Sequence, residues 1–326
     1  MCHSSDMPRI RAAAAPAQPQ QRHARQARAN REIARRQRRV RWAAIVGALA
    51  IAAIGAGAWL ANSDGSPLRT SASADGPSLA SYRPPDLHAL LVSPTDPRTL
   101  TFGHHQGMLV SHDGGATWQP LPGAAGKDAM GVALPPNSKT AYAAGHDVFM
   151  RSDDGGQSWS TVRPALPGTD IHGFTASATQ PDTFYAYVVG FGLFKSSDGG
   201  TTWAAVAQPP GSTMTLASAR SGSAEVLFAS TMEGMARSSD GGRTWEALRD
   251  VPAGSVSAIG EIVYVADRGT VMASTDGGRT WQRRSFPRNA GLIAVAPTNT
   301  DLVYVVTDRR EVWRSKDAGA TWAKVG

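Results

Sequence analysis

The chain has 326 residues, 41% hydrophobic and 18% charged, which leaves room for a sizeable core and excludes a disordered chain or a long coiled coil. Its single cysteine, Cys2, excludes a disulfide scaffold and a cysteine-based zinc finger. Residues 1–41 carry a net +9 through eleven arginines against Asp6 and Glu32, so of the total +7 the other 285 residues hold −2.

In chain order, residues 1–41 read as a basic, disordered cytoplasmic tail. It has no interleaved aromatics for base stacking, so nucleic acid is not expected as a partner and anionic lipid headgroups are. Trp42–Ala61 is a charge-free run of twenty residues, about 30 Å as a helix, with Trp42 and Trp59 near its ends. Arginines before it place the N-terminus in the cytoplasm, which predicts a single-pass anchor with the remainder extracytoplasmic. The alternative is a signal peptide cleaved at Ala56-Gly57-Ala58, which would release a secreted protein. Residues 62–85, rich in Ser, Ala, Gly and Pro, read as a flexible tether.

Residues 86–326 are repetitive. The octet Ser-x-Asp-x-Gly-x-Thr/Ser-Trp occurs six times, with aspartates Asp113, Asp154, Asp198, Asp240, Asp276 and Asp317 spaced 41, 44, 42, 36 and 41 residues apart. Each unit repeats one strand order: His88–Ser93, Thr99–Gly103, Met108–His112 and a fourth run after Trp118. Thr183–Val188, Glu261–Val265 and Asp301–Val306 continue the theme, with turn residues between them. Four antiparallel strands per unit of about 40 residues predict an all-β, six-bladed β-propeller, monomeric and folding without a cofactor.

The octet is identified as the Asp-box, or BNR, repeat. Its glycines allow positive φ in a tight turn, its aspartate can accept backbone N–H bonds there, and its tryptophan anchors the turn, so the six aspartates are assigned to structure. Function is therefore expected at the opposite face, where first strands begin and second strands end. Equivalent first-strand positions hold His88, Met130, His172 and Met214, 42 residues apart. Equivalent positions six residues before each box serine hold His105, His146, Gly190, Met232, Arg268 and Arg309. In a closed ring these side chains converge, and imidazole with thioether suits copper. Asp86, Asp128 and Asp170, two residues before His88, Met130 and His172, are candidates to orient the imidazoles. Arg268, Arg288 and Arg309 are candidates to clamp a carboxylate or phosphate.

The segments Asp86–Pro94, Gly103–Gly107, Asp128–Gly131 and Asp170–Phe174 resemble bacterial anchored or secreted BNR proteins labelled sialidase- or glycosylhydrolase-like. That resemblance implies a glycoside hydrolase with three arginines, for which Arg268, Arg288 and Arg309 stand. It also implies a Tyr–Glu nucleophile pair, for which Glu233 with Tyr185 or Tyr187 stands, and a catalytic carboxylate among Asp86, Asp128 and Asp170. The residues themselves favour a propeller that binds a metal, glycan or protein partner. A hydrolase is the first alternative, and an assembly scaffold for a membrane complex the second.

Overall fold

The computed structural model describes residues 76–207 and 211–325. The expected basic tail, the expected Trp42–Ala61 anchor and residues 62–75 of the expected tether lie outside them. Among the described residues no helix is long and apolar enough to cross a membrane.

Among the described residues a single helical turn, α1 (Leu79–Tyr82), precedes twenty-two strands. The first sheet is β1 (Ala89–Val92), β2 (Leu100–His104), β3 (Gly107–Ser111) and β4 (Gln119–Pro120). The second is β5 (Asp128–Ala133), β6 (Ala141–His146), β7 (Val148–Ser152) and β8 (Ser160–Thr161). The third is β9 (Ile171–Ala176), β10 (Phe184–Val188), β11 (Gly192–Ser196) and β12 (Ala204–Ala207). The fourth is β13 (Thr213–Ser221), β14 (Ala224–Thr231), β15 (Gly234–Ser238) and β16 (Glu246–Leu248). The last sheet has six strands: β17 (Ser255–Ile259), β18 (Ile262–Ser274), β19 (Gln282–Ala296), β20 (Asn299–Thr307), β21 (Val312–Ser315) and β22 (Ala323–Val325). Within each sheet, successive strands pair antiparallel as a meander.

The sheets close into a propeller. Leu90, Val92, Leu100 and Phe102 of the first sheet share one buried cluster with Leu292, Ala294, Tyr304 and Val306 of the last. The Tyr304 hydroxyl donates to the Pro97 carbonyl across that seam at 3.0 Å. Other clusters join each sheet to the next, and β1, β5, β9, β13 and β17 line a central cavity of about 640 Å³ with the second half of β19.

Two expectations are corrected. Six separate four-stranded sheets were expected, and there are five, because the last two box units share one sheet. The reason is strand continuity. β18 and β19 run for 13 and 15 residues through points where the earlier units break, and Arg268 pairs with Ala290 across them. The tether also ends earlier than residue 85. Leu79 is buried in the closing cluster, Tyr82 donates to the Trp118 carbonyl at 2.9 Å, and Arg310 donates to the carbonyls of Pro84 and Pro85.

The box turns follow from local chemistry. At Gly114 and Gly115 φ is 80° and 94°, a region that favours glycine. Asp113 Oδ1 accepts from the Ala116 and Thr117 amides, Oδ2 accepts from the Thr117 hydroxyl, and Trp118 Nε1 donates to the Gly115 carbonyl. The same carboxylate bonds recur at Asp154, Asp198, Asp240, Asp276 and Asp317. At Asp198, Asp240 and Asp317 the threonine hydroxyl and amide bonds hold the carboxyl at about 2, below its ordinary 3.8. At Asp154 and Asp276 slight burial pushes upward, but the hydroxyl and amide bonds outweigh it and the result is again about 2. A carboxyl depressed on folding stabilises the fold above its unfolded pKa and loses that contribution as pH falls through the folded value. The melting temperature is therefore expected to drop steeply from pH ~4 to ~2 as these carboxyls protonate. A melting temperature unchanged down to pH ~2 would contradict the assignment.

Candidate metal centre

Seven side chains converge where three successive units begin. Asp86 and His88 precede β1, His105 follows β2, Asp128 opens β5, His146 ends β6, and Asp170 and His172 stand at the start of β9. Asp128 and His146 are cross-strand partners in β5–β6, and His146 forms a bridge to Asp170. The meander therefore carries the side chains of one unit to the edge of the next.

Asp128 is the hub. It is buried, with His88 Nδ1 at 2.8 Å from Oδ1, and His146 Nδ1 at 2.5 Å and His105 Nε2 at 3.4 Å from Oδ2. Burial pushes its carboxyl up, yet the His146 hydrogen bond and the fields of His88, His146 and His105 outweigh that and hold it below 3.8. It is ionised at neutral pH. Burial also pushes the His88 and His172 imidazoles below the ordinary 6.5, against the pull of neighbouring carboxylates, so both are neutral at pH 7.

An ionised carboxylate only accepts, so His88 Nδ1 and His146 Nδ1 carry the hydrogens that face Asp128. In a neutral ring Nε2 is then a bare lone pair. His146 Nε2 lies 3.0 Å from His172 Nε2 and 3.0 Å from Asp170 Oδ1, which is 3.1 Å from His172 Nε2. These three atoms form a near-equilateral triangle of possible metal donors. On the other side of Asp128, Asp86 accepts from the His105 amide at 2.9 Å, meets His105 Nδ1, and has Oδ1 3.5 Å from His88 Nε2. Among the described residues every ion-pair partner of Asp86, Asp128 and Asp170 is a histidine.

The four histidines expected at this face thus come together, and the three aspartates with them. Met130 is buried and lines the cavity beside His88 and His172, while Met214 and Met232 are 37% and 76% exposed. Of the arginines, Arg288 stacks on Trp313, 5.6 Å from its centroid, Arg268 is exposed within β18, and Arg309 lies in an exposed turn. Glu233 is exposed and overlies Gly211. Tyr185 is fully buried and donates instead to Glu225 at 2.8 Å, and burial together with that carboxylate pushes its phenol up. Tyr187 is also buried. No Tyr–Glu233 nucleophile pair is assembled.

Of the three aspartates only Asp128 meets two imidazoles through Nδ1, those of His88 and His146. A signal existed: Asp86 and Asp170 are each followed two residues on by histidine, but Asp128 by Met130. Lacking an imidazole of its own, Asp128 serves those of its neighbours. Gly145 permits this, since a Cβ there would lie 1.8 Å from the Asp128 carbonyl oxygen and 2.7 Å from Met130 N. Gly145→Ala is expected to cost ~1–3 kcal/mol in urea denaturation; an unchanged midpoint would show that the close approach is dispensable.

The BNR/Asp-box repeat model matches residues 109–120, the first of the six boxes. The chain is a β-propeller that carries Asp-box repeats. No curated protein matches it. Among solved structures, a GH74 xyloglucanase from Xanthomonas campestris is 18% identical with a TM-score of 0.51, covering 73% of this chain and 45% of that one. The Asp-box propeller thus spans less than half the length of that enzyme. A chain of a nidogen/laminin complex is 10% identical with a TM-score of 0.53, covering 69% of this propeller and 91% of that chain. YCF48 from Cyanidioschyzon merolae is 20% identical with a TM-score of 0.44, covering 73% and 84%. At these identities the likeness is one of fold.

Proposed function

We propose that this Asp-box propeller is a metal-binding protein, displayed outside the cell membrane on the Trp42–Ala61 anchor. In this reading the ion is a divalent first-row transition metal held at the mouth of the central cavity. The observation that carries the proposal is the triangle of His146 Nε2, His172 Nε2 and Asp170 Oδ1, with edges of 3.0, 3.0 and 3.1 Å. A cation ~2 Å from each atom sits ~1 Å above their plane, as a three-ligand face with open positions requires. Asp128 behind His146 Nδ1 supports the reading, because a carboxylate on the far nitrogen fixes the tautomer of a metal-binding imidazole.

Carboxylate oxygen beside imidazole nitrogen favours a divalent ion over the cuprous ion that thioethers suit, and copper(II) binds such donors most tightly of the series. Glycoside hydrolysis is less well supported. A general acid needs a raised pKa, whereas Asp128 is held down and ionised. The test is a copper(II) competition titration of the full chain in detergent. At least one ion held against a glycine competitor supports the reading; no retained copper overturns it.

A further inference from the structure

The cluster has more donor atoms than one ion can use, and they lie on both sides of Asp128. On one side His146 Nε2 faces Asp170 and His172. On the other, His88 Nε2 and His105 Nδ1 face Asp86, while His88 Nδ1 and His105 Nε2 look back at Asp128. The two groups are built alike. Each takes an Asp-x-His from the start of a first strand, Asp86-Leu87-His88 or Asp170-Ile171-His172, and a histidine from a β2–β3-type turn, His105 or His146.

The three carboxylates gathered here pair with no lysine or arginine among the described residues.

We propose that the mouth binds two metal ions, the second held by Asp86, His88 Nε2 and His105 Nδ1, with Asp128 as the shared outer carboxylate of both. This rests on the metal-binding reading above and adds a second position to it. Asp128 touches neither ion. It is a positioning residue, which keeps the hydrogens of His88 and His146 on Nδ1 so that both Nε2 lone pairs point outward.

The experiment is a stoichiometry. The tag-free full chain in detergent is dialysed against copper(II) with excess glycine as competitor, and bound copper is measured by atomic emission. Two coppers per chain are expected in the native protein, and one each in His146→Ala/His172→Ala and in His88→Ala/His105→Ala. Asp86→Asn, a rim change at a side chain 26% exposed, is also expected to hold one, and it guards against misfolding of the double variants. The native two-copper form should show a spin-coupled electron paramagnetic resonance spectrum that each single-site variant lacks. Asp128→Asn should keep both coppers with each affinity lowered ~10–100-fold.

One copper per native chain overturns the two-ion proposal and leaves the metal-binding reading standing. Zero copper overturns both. Loss of both ions in Asp86→Asn, with an unchanged circular dichroism spectrum, also overturns two separate positions.

Discussion

Replacing His146 and His172 together by alanine is expected to weaken copper(II) binding at their site by more than ~100-fold while leaving the propeller folded. Loss of an outer-shell partner alone costs ~10–100-fold in metal affinity, and this variant removes two of three inner donors. Both side chains are partly exposed, at 34% and 21%, so little packing goes with them. His104→Ala is the matched control. His104 is a buried imidazole whose Nδ1 accepts from the Gln106 amide at 3.2 Å, so its loss should lower stability and spare binding. An affinity lost equally in both variants would assign the effect to the fold rather than to ligation.

Trp118→Ala is expected to cost ~3–5 kcal/mol, a large part of the stability of an ordinary domain. Trp118 is 2% exposed and belongs to the cluster that closes the ring, with Leu79, Phe102, Leu292 and Tyr304. Its Nε1 donates to the Gly115 carbonyl at 3.0 Å, and its amide donates to the Pro77 carbonyl, which docks the segment before α1. Trp322, the corresponding residue of the sixth box, is only partly buried, and its Nε1 has no partner. Trp322→Ala should therefore cost clearly less. Urea denaturation of the two variants side by side is the check. Equal losses would show that closure does not depend on Trp118.

The six box turns were legible residue by residue because their bonds span only two to four positions. Ser111, Asp113, Gly115, Thr117 and Trp118 satisfy one another without reference to the rest of the chain. The meeting of His88, His105, His146 and His172 was legible for a related reason, since equivalent positions of a closed repeat lie at equivalent places on the ring. The tether was misjudged over residues 76–85, whose small and proline-rich composition resembles a linker. Leu79 and Tyr82 are nonetheless docked there, and Arg310 grips the Pro84 carbonyl from 226 positions away.

Sheet membership was not legible. Each box unit has the same strand pattern, and nothing in that pattern says where one sheet ends and the next begins. The choice is made by long-range pairing, as when Arg268 meets Ala290 and two units merge. The partner of Tyr185 was settled in the same way: Glu225 lies across the interface from its hydroxyl, while Glu233 is exposed over Gly211. The division of labour among Asp86, Asp128 and Asp170 is also a tertiary result. Spacing shows that a carboxylate and an imidazole share a turn. Which ring nitrogen a carboxylate faces depends on side chains brought in by neighbouring units. Local hydrogen bonds and repeat period are properties of the chain itself, whereas tautomer, charge balance and ring closure belong to the packed assembly of units.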